Sequence, residues 1–409
     1  MRLLTQYVPW ELLKVFLMRL LTRYVLWELL KVFFVALTAL TVMLLIVGLV
    51  KQARDEGLGP AQVLMLIPYI LPDMLRYTIP ATILFAASSV YGRMSGSNEV
   101  VAIKSLGISP MAVLWPCFIL SFALSLLTVW LNDVAVTWGM AGIQRVVIDS
   151  VEEIVYSKLR TQRSYMNRNV SIMVRSVEGR RLIHPTFTFS SNDGKRPVTI
   201  TAREAELRSD GEVLRIVWRD ATIETQQGGG VLDEWEREIP LSDISRNGDN
   251  SRIPTRVPLS LIPSEKLRVR EELDFYRRRR AAEMAMPLLT GEFETFDYQD
   301  WQNESQAIQD KWNHLYRLDT EPPRRWSAGF SCFCFALIGA PMAIWRRNAD
   351  FLTSFFLCFA PILIVYYPLL VFGVEQAKSG ALNANIVWLG NLVLAAWGYW
   401  MLQWKVIRY

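Results

Sequence analysis

Residues 71–116 read LPDMLRYTIPATILFAASSVYGRMSGSNEVVAIKSLGISPMAVLWP. Leu75–Tyr91 is apolar over nearly the ~20 residues that a helix needs to cross a hydrocarbon core, and a second such run, Met111–Leu131, starts within the same stretch. Between them Arg93, Glu99 and Lys104 are costly in lipid, so the stretch reads as two crossing helices joined by a short polar link. Working outward, Val32–Val50 precedes the pair, and Trp326–Trp345, Phe351–Val374 and Ile386–Trp404 close the chain. The block Gln144–Arg325 that separates the two groups of three is rich in Arg, Glu and Asp. The fold class expected is an α-helical membrane protein with six transmembrane helices and one inserted domain in water.

Composition agrees. Of 409 residues, 52% are hydrophobic and 20% charged, and the two populations are segregated along the chain. A net charge of +5 is small for this length, and no Lys/Arg run flanks aromatic residues, which argues against nucleic-acid binding. Cys117, Cys332, Cys334 and Cys358 all lie within expected spans and read as small apolar packing residues, so the inserted block needs no disulfides. His184 and His314 lack Cys or carboxylate neighbours at ligand spacing, so neither a metal nor a cofactor is expected. Ser88 and Ser89 sit in a span with no His or Lys spaced to activate them, and read as hydrogen-bonding back to the helix rather than as nucleophiles.

Short loops give an orientation. Arg2, Lys14, Arg19, Arg23 and Lys31 precede the first span, Arg93 and Lys104 follow the second, Arg346 and Arg347 the fourth, and Lys405 and Arg408 the last. On the opposite side Lys51, Arg54 and Arg76 are diluted by Asp55, Glu56 and Asp73, and the last loop carries Lys378. The positive-inside rule then predicts cytoplasmic termini and an inserted block outside the cytoplasm. Residues 1–31, a cytoplasmic or interfacial segment, hold a tandem repeat: MRLLTQYVPWELLKVFL (1–17) and MRLLTRYVLWELLKVFF (18–34) differ at three of seventeen positions. One reading is a duplication with Met18 as the start; the other is an added amphipathic helix among the headgroups, which Pro9 weakens in the first copy.

Within 141–262 the pattern is that of strands. Val170–Val177 and Thr186–Phe189 alternate, Val198–Leu207 and Val213–Thr225 follow, and turn chemistry falls at Glu178-Gly179, Asn192-Asp193-Gly194, Ser209-Asp210-Gly211 and Gly228-Gly229-Gly230. Short Val, Ile, Thr and Trp runs at this spacing predict an antiparallel sandwich or open roll. Residues 263–325 change to charged, helical character, including Arg277–Arg280, which reads as a solvated helix face or, alternatively, as a contact for anionic headgroups.

No GxxxxGK[ST] phosphate loop occurs in the chain, so no ATP site of that kind is expected. In the link at 98–108, Val100, Ile103 and Leu106–Gly107 gather towards one helix face, and Glu99 near its start suits the helix dipole. Such a helix can seat in a partner's groove, or simply lie on the headgroups.

The phrase at 71–116, the strand phrase ITAREAELRSDGEVLRI (200–216) and FALIGAPMAIWRR (335–347) together resemble the LptF/LptG permease family, as does the character of the last third. The likeness runs from about Arg23 to Tyr409. It implies three spans with a cytoplasmic coupling helix (32–140, helix at 98–108), a periplasmic all-β jellyroll-like domain (141–262), a charged connection (263–325) and three further spans (326–409). It also implies an inner-membrane transporter half for lipopolysaccharide, with no catalysis of its own. The implied partners are an LptB-like ABC ATPase dimer, a second LptF/LptG-type half, and LptC-like and LptA-like periplasmic bridge proteins. Glu99, Val100, Ile103, Leu106 and Gly107 would couple to the ATPase. Lys51 matches a lysine that faces the lipid A phosphate in the LptG-type half, with Arg54 and Arg76 as further candidates; the bland reading of Lys51 is snorkelling to the interface. Spans one and five would form the lateral opening, with Phe355, Phe356, Tyr366 and Tyr367 as lining candidates, and an edge strand of the β domain would extend across a partner's sheet. Two features depart from the family: the stretch 264–320 is longer than the usual connection, and WNHLYR (312–317) has Asn313 where an acid is expected. From another class, a scaffold or mechanotransmission subunit that moves its outer domain without carrying lipid fits the same span pattern.

Overall fold

In the computed structural model the run Val32–Val50 belongs to one long helix, α1 (Arg2–Glu56), which continues through both copies of the repeat and through Pro9. Pro9 therefore does not end the helix as its chemistry suggested. The structure describes residues 2–56, 60–149, 151–166, 170–189, 198–210, 213–225, 228–240, 253–291, 298–346 and 351–407. They form two units, one of Met1–Met43, Pro72–Val136 and Val257–Tyr409, the other of Leu44–Leu71 and Thr137–Arg256.

The first unit is helical. After α2 (Pro60–Gly96), α3 (Glu99–Ser105) and α4 (Met111–Val134) come α7 (Ile262–Thr290), α8 (Tyr298–Trp345), α9 (Phe351–Pro361), α10 (Tyr367–Lys378) and α11 (Leu389–Met401). Among the described residues, five helical stretches are long and apolar enough to cross a membrane: Met18–Gln52, Met111–Ile143, Trp301–Trp345, Phe355–Lys378 and Ala384–Ile407. The expected second span, Leu75–Tyr91, is helical within α2 but is not among them. It is diluted by Arg76, Thr78, Thr82 and Ser88, and the three hydroxyl residues are buried. Thr82 donates to Thr78 O at 2.9 Å and Ser88 to Phe85 O at 3.0 Å. Its hydroxyl groups are enclosed by neighbouring helices rather than facing outward, and among the described residues the structure shows five of the six expected spans.

Small residues let these helices approach closely. Gly329 of α8 lies against Val129 and Ser125 of α4, where any Cβ would collide. Beside it, Ser125 Oγ accepts from Phe333 N at 3.1 Å and Thr128 Oγ1 meets Cys332 Sγ at 3.5 Å. All four cysteines are buried free thiols, as their setting predicted. The fifth-span run is not one regular helix: a π-helical turn, Ile362–Tyr366, follows Pro361 and separates α9 from α10.

Ahead of its apolar end, α8 packs along α7 over a core of Val269, Leu315 and Leu318 with Trp312. At 29 residues α7 is about 43 Å long. The Arg277–Arg280 run contributes to this packing while Arg277, Arg278 and Arg279 stay exposed. Arg277 stacks over Trp312 at 5.0 Å, Arg280 over Trp301 at 4.8 Å, and Arg279 lies 3.7 Å from Glu304. The run is a solvated face, as its composition predicted, that also holds α8 through these contacts.

The second unit carries the sheet. Its start, expected to be β, is helical: α5 (Met140–Asp149) and α6 (Val151–Gln162). Eight antiparallel strands follow: β1 (Ser164–Met166), β2 (Val170–Met173), β3 (Ser176–Glu178), β4 (Arg181–Ile183), β5 (Thr186–Phe189), β6 (Val198–Asp210), β7 (Val213–Thr225) and β8 (Gly228–Pro240). Strand β6 is the spine: along one side it pairs β5 and then β4, along the other β7, and β7 pairs β8. The Glu178-Gly179 turn is present, with Gly179 at φ +61. Gly228–Gly230 is not a turn but the start of β8, paired with Ile223–Thr225. Asn192-Asp193-Gly194 and Gly211 lie outside the described residues.

One sheet face is apolar. Ile172, Leu182, Phe187, Ile200, Leu207, Leu214, Ile216 and Trp218 are buried there with Val155, Tyr156 and Leu159 of α6. The buried set on β7 changes parity after Trp218, to Ala221, because Asp220 takes φ +51 and breaks the alternation. Tyr156 keys the helix to the sheet: its hydroxyl donates to Arg180 O at 2.5 Å and accepts from Leu207 N at 3.0 Å. Burial pushes this phenol above its usual range.

Candidate functional site

The link between α2 and α4 is a short helix that the chain itself half buries. Asn98 adopts φ 60 and ψ 15, a left-handed conformation that Asn tolerates, and this lets the chain leave α2 and restart at Glu99. The turn that ends α3 uses Gly107 at φ +74, and Pro110 precedes the first residue of α4. Within α3, Val100 is 3% exposed and belongs to the helical core, and Ile103 packs against the same core. Leu106 is the outward apolar residue, 57% exposed. Gly107 has nothing within 4 Å of where a side chain would start. The apolar face read from the sequence is therefore divided, with Val100 and Ile103 inward and Leu106–Gly107 outward.

Polar contacts hold this link against the bundle. Lys104 Nζ donates to Val406 O at 2.8 Å, Ser95 Oγ to Ile344 O at 2.8 Å, and Tyr91 to Val113 O at 2.9 Å. Arg93 bonds Glu28 of α1 at 2.6 Å. Glu99 accepts from Ser97 Oγ at 2.9 Å, a local contact that leaves carboxylate acceptor capacity for an incoming cation. A rigid seat with a small protruding tip can pass force between a partner and the helices behind it.

The cationic candidates separate. Lys51 and Arg54, near the C-terminal end of α1, are both exposed and meet no acid among the described residues. Arg76 is already engaged. It pairs with Asp73 at 2.5 Å, reaches Asn132 Oδ1 at 3.4 Å, and stacks over Tyr77 at 4.7 Å. Its charge is met within the chain.

Beyond the sequence-derived candidates lies a buried ionic cluster. Arg325, 4% exposed, donates to Val257 O at 2.7 Å and lies 3.6 Å from Asp133 and 3.5 Å from Glu321. Arg324 bonds Glu321 at 2.9 Å, and Leu259 N donates to Asp133 at 3.0 Å. The signal was present as Asp133 at a span end and as Glu321, Arg324 and Arg325 at helical spacing, but nothing local tied the two together. This cluster joins the end of α4, the segment Val257–Leu259 and α8.

The lining candidates also divide. Tyr366 is buried edge-on against Phe335 at 5.1 Å, and Phe355 packs with Phe85 at 5.6 Å. Phe356 and Tyr367 are exposed.

A family model described as lipopolysaccharide export system permease LptF/LptG matches residues 23–404. The chain belongs to this family. No curated protein matches it. The match spans both groups of apolar helices and the inserted sheet, so membership, a multi-pass inner-membrane setting and a permease rather than an enzyme role hold for the chain as a whole.

Proposed function

We propose that this chain is one permease half of an ABC exporter that draws lipopolysaccharide out of the inner membrane and hands it to a periplasmic bridge. An LptB-like ATPase dimer supplies the energy and docks on α3, where Leu106 and Gly107 enter its groove, Glu99 receives a cation, and Val100 and Ile103 transmit the force inward. A second LptF/LptG-type half completes the pathway. Both termini are cytoplasmic and the β domain periplasmic, in keeping with the Arg and Lys bias of the short loops. Six crossings result, with the enclosed helix at Leu75–Tyr91 as the second.

Lys51 and Arg54, which meet no acid among the described residues, contact lipid A phosphates, and the exposed Phe356 and Tyr367 face the lateral opening between spans one and five. The apolar inner face of the jellyroll-like β domain carries the acyl chains onward. Strand β8, which among the described residues pairs with β7 alone, offers its other edge to an LptC-like or LptA-like sheet.

The observation that carries this reading is the divided helix α3, anchored by Val100 and projecting Leu106, in a chain of this family. Glu99→Arg tests it. The variant is expected to insert normally and to lose ATPase-coupled lipopolysaccharide release from spheroplasts or proteoliposomes. Full release by that variant would reject the docking assignment.

A further inference from the structure

A concavity of about 720 Å³ lies against the N-terminal part of α1, lined by Leu20, Tyr24, Trp27 and Leu30 together with Ile103 and Ile108. Ile103 belongs to α3 and Ile108 follows it directly, so one wall is the base of the coupling segment and the other is the approach to the first span. The volume is that of a small-molecule site. Of the residues lining it, Arg23 alone is charged. Arg23 is exposed and meets no acid among the described residues, whereas Arg93 and Lys31 share Glu28 at 2.6 and 3.6 Å. An apolar hollow with one uncommitted cation calls for a ligand with a hydrocarbon part and an anionic head.

Depth selects the ligand. The apolar run Val32–Val50 starts just after Leu30, so Tyr24 and Trp27 precede it by about one to two turns, the spacing at which aromatic residues mark the boundary between tails and headgroups. A soluble protein would have to reach below the headgroups to fill a hollow that extends to Leu30. At that depth lipid is the solvent. We propose that this concavity binds an anionic glycerophospholipid, one acyl chain between α1 and the Ile103–Ile108 wall and the phosphate on Arg23. The lipid fills the space behind the coupling segment and so braces it. The orientation proposed above decides which leaflet supplies the lipid, but binding does not depend on it.

The test reads binding alone, without export or ATPase activity. The full-length chain, isolated with its co-purifying partners, is placed in phosphatidylcholine nanodiscs. These contain a trace of phosphatidylglycerol carrying an acyl-chain diazirine or, in parallel, the same probe on phosphatidylcholine. After illumination, labelled peptides are mapped by mass spectrometry. The phosphatidylglycerol probe is expected to label peptides containing Leu20–Leu30 and Ile103–Ile108. Arg23→Gln, at an exposed site that should not disturb folding, is expected to lower that labelling about five-fold and to leave the phosphatidylcholine signal unchanged. Equal labelling by both probes, insensitivity to Arg23→Gln, labels scattered along the other spans, or labelling found only after the ATPase is stripped away would each overturn the proposal. The last would show that a protein fills the hollow.

Discussion

Replacing Leu106, the residue that caps the seven-residue helix α3, with alanine separates docking from folding. Leu106 is 57% exposed, so truncating it removes little from the chain's own core. Fully burying a leucine side chain is worth about 1.5–3 kcal/mol, and a partner that covers the exposed part recovers about 1–2 kcal/mol of this. That corresponds to a weakening of ATPase affinity of about five- to thirty-fold. Val100 makes the opposite case. At 3% exposure it is already inside, and Val100→Ala deletes two buried methyl groups at a cost of about 2 kcal/mol to folding. The assay is titration of fluorescent ATPase onto the full-length chain in nanodiscs, with thermal unfolding of each variant followed by tryptophan fluorescence. Leu106→Ala should weaken binding without lowering the melting temperature, and Val100→Ala should lower the melting temperature. If Leu106→Ala binds within two-fold of the parent, the outward half of α3 is not a docking surface and the division of its face has no functional meaning.

Three further outcomes follow from the geometry. Arg325→Ala takes one ionic partner from Asp133, which keeps Leu259 N, and from Glu321, which keeps Arg324, and should cost about 1–3 kcal/mol in thermal unfolding; a loss below about 0.5 kcal/mol would mean that water already hydrates these charges. Lys51→Glu should reduce stimulation of the ATPase by lipopolysaccharide while leaving basal hydrolysis intact, and unchanged stimulation would return Lys51 to simple snorkelling. Tyr156→Phe removes the acceptor for Leu207 N and the donor to Arg180 O, for about 1–3 kcal/mol. Hydrogen exchange at the Leu207 amide should accelerate by tenfold or more, and an unchanged rate would show that α6 does not secure the sheet.

Much of the fold was legible because its signals are local. A run of about twenty apolar residues, a Gly at a hairpin tip, or three apolar residues on one face of a short helix can each be read within a window of a few turns. Five of the six expected spans, the Glu178-Gly179 turn and the position of α3 all come from such signals. The misreadings arose where a neighbour distant in sequence sets the outcome. Gly228–Gly230 has turn chemistry, yet β7 recruits it into a ladder. Arg277–Arg280 is the solvated face that its composition predicts, but the rings of Trp312 and Trp301 that Arg277 and Arg280 stack on are not visible in the sequence.

The sequence alone determined which parts of this protein enter lipid and which stay in water, because transfer free energy sums over neighbouring residues. Only the tertiary structure decided which charges are free. Arg76 finds Asp73 and Asn132, Arg325 finds Asp133 and Glu321, and Lys51, Arg54 and Arg23 meet no acid among the described residues. A charge is satisfied by whatever lies within about 4 Å of it: one turn away on the same helix that neighbour follows from sequence spacing, as for Asp73 and Glu321, and across helices it is set by packing, as for Asn132 and Asp133.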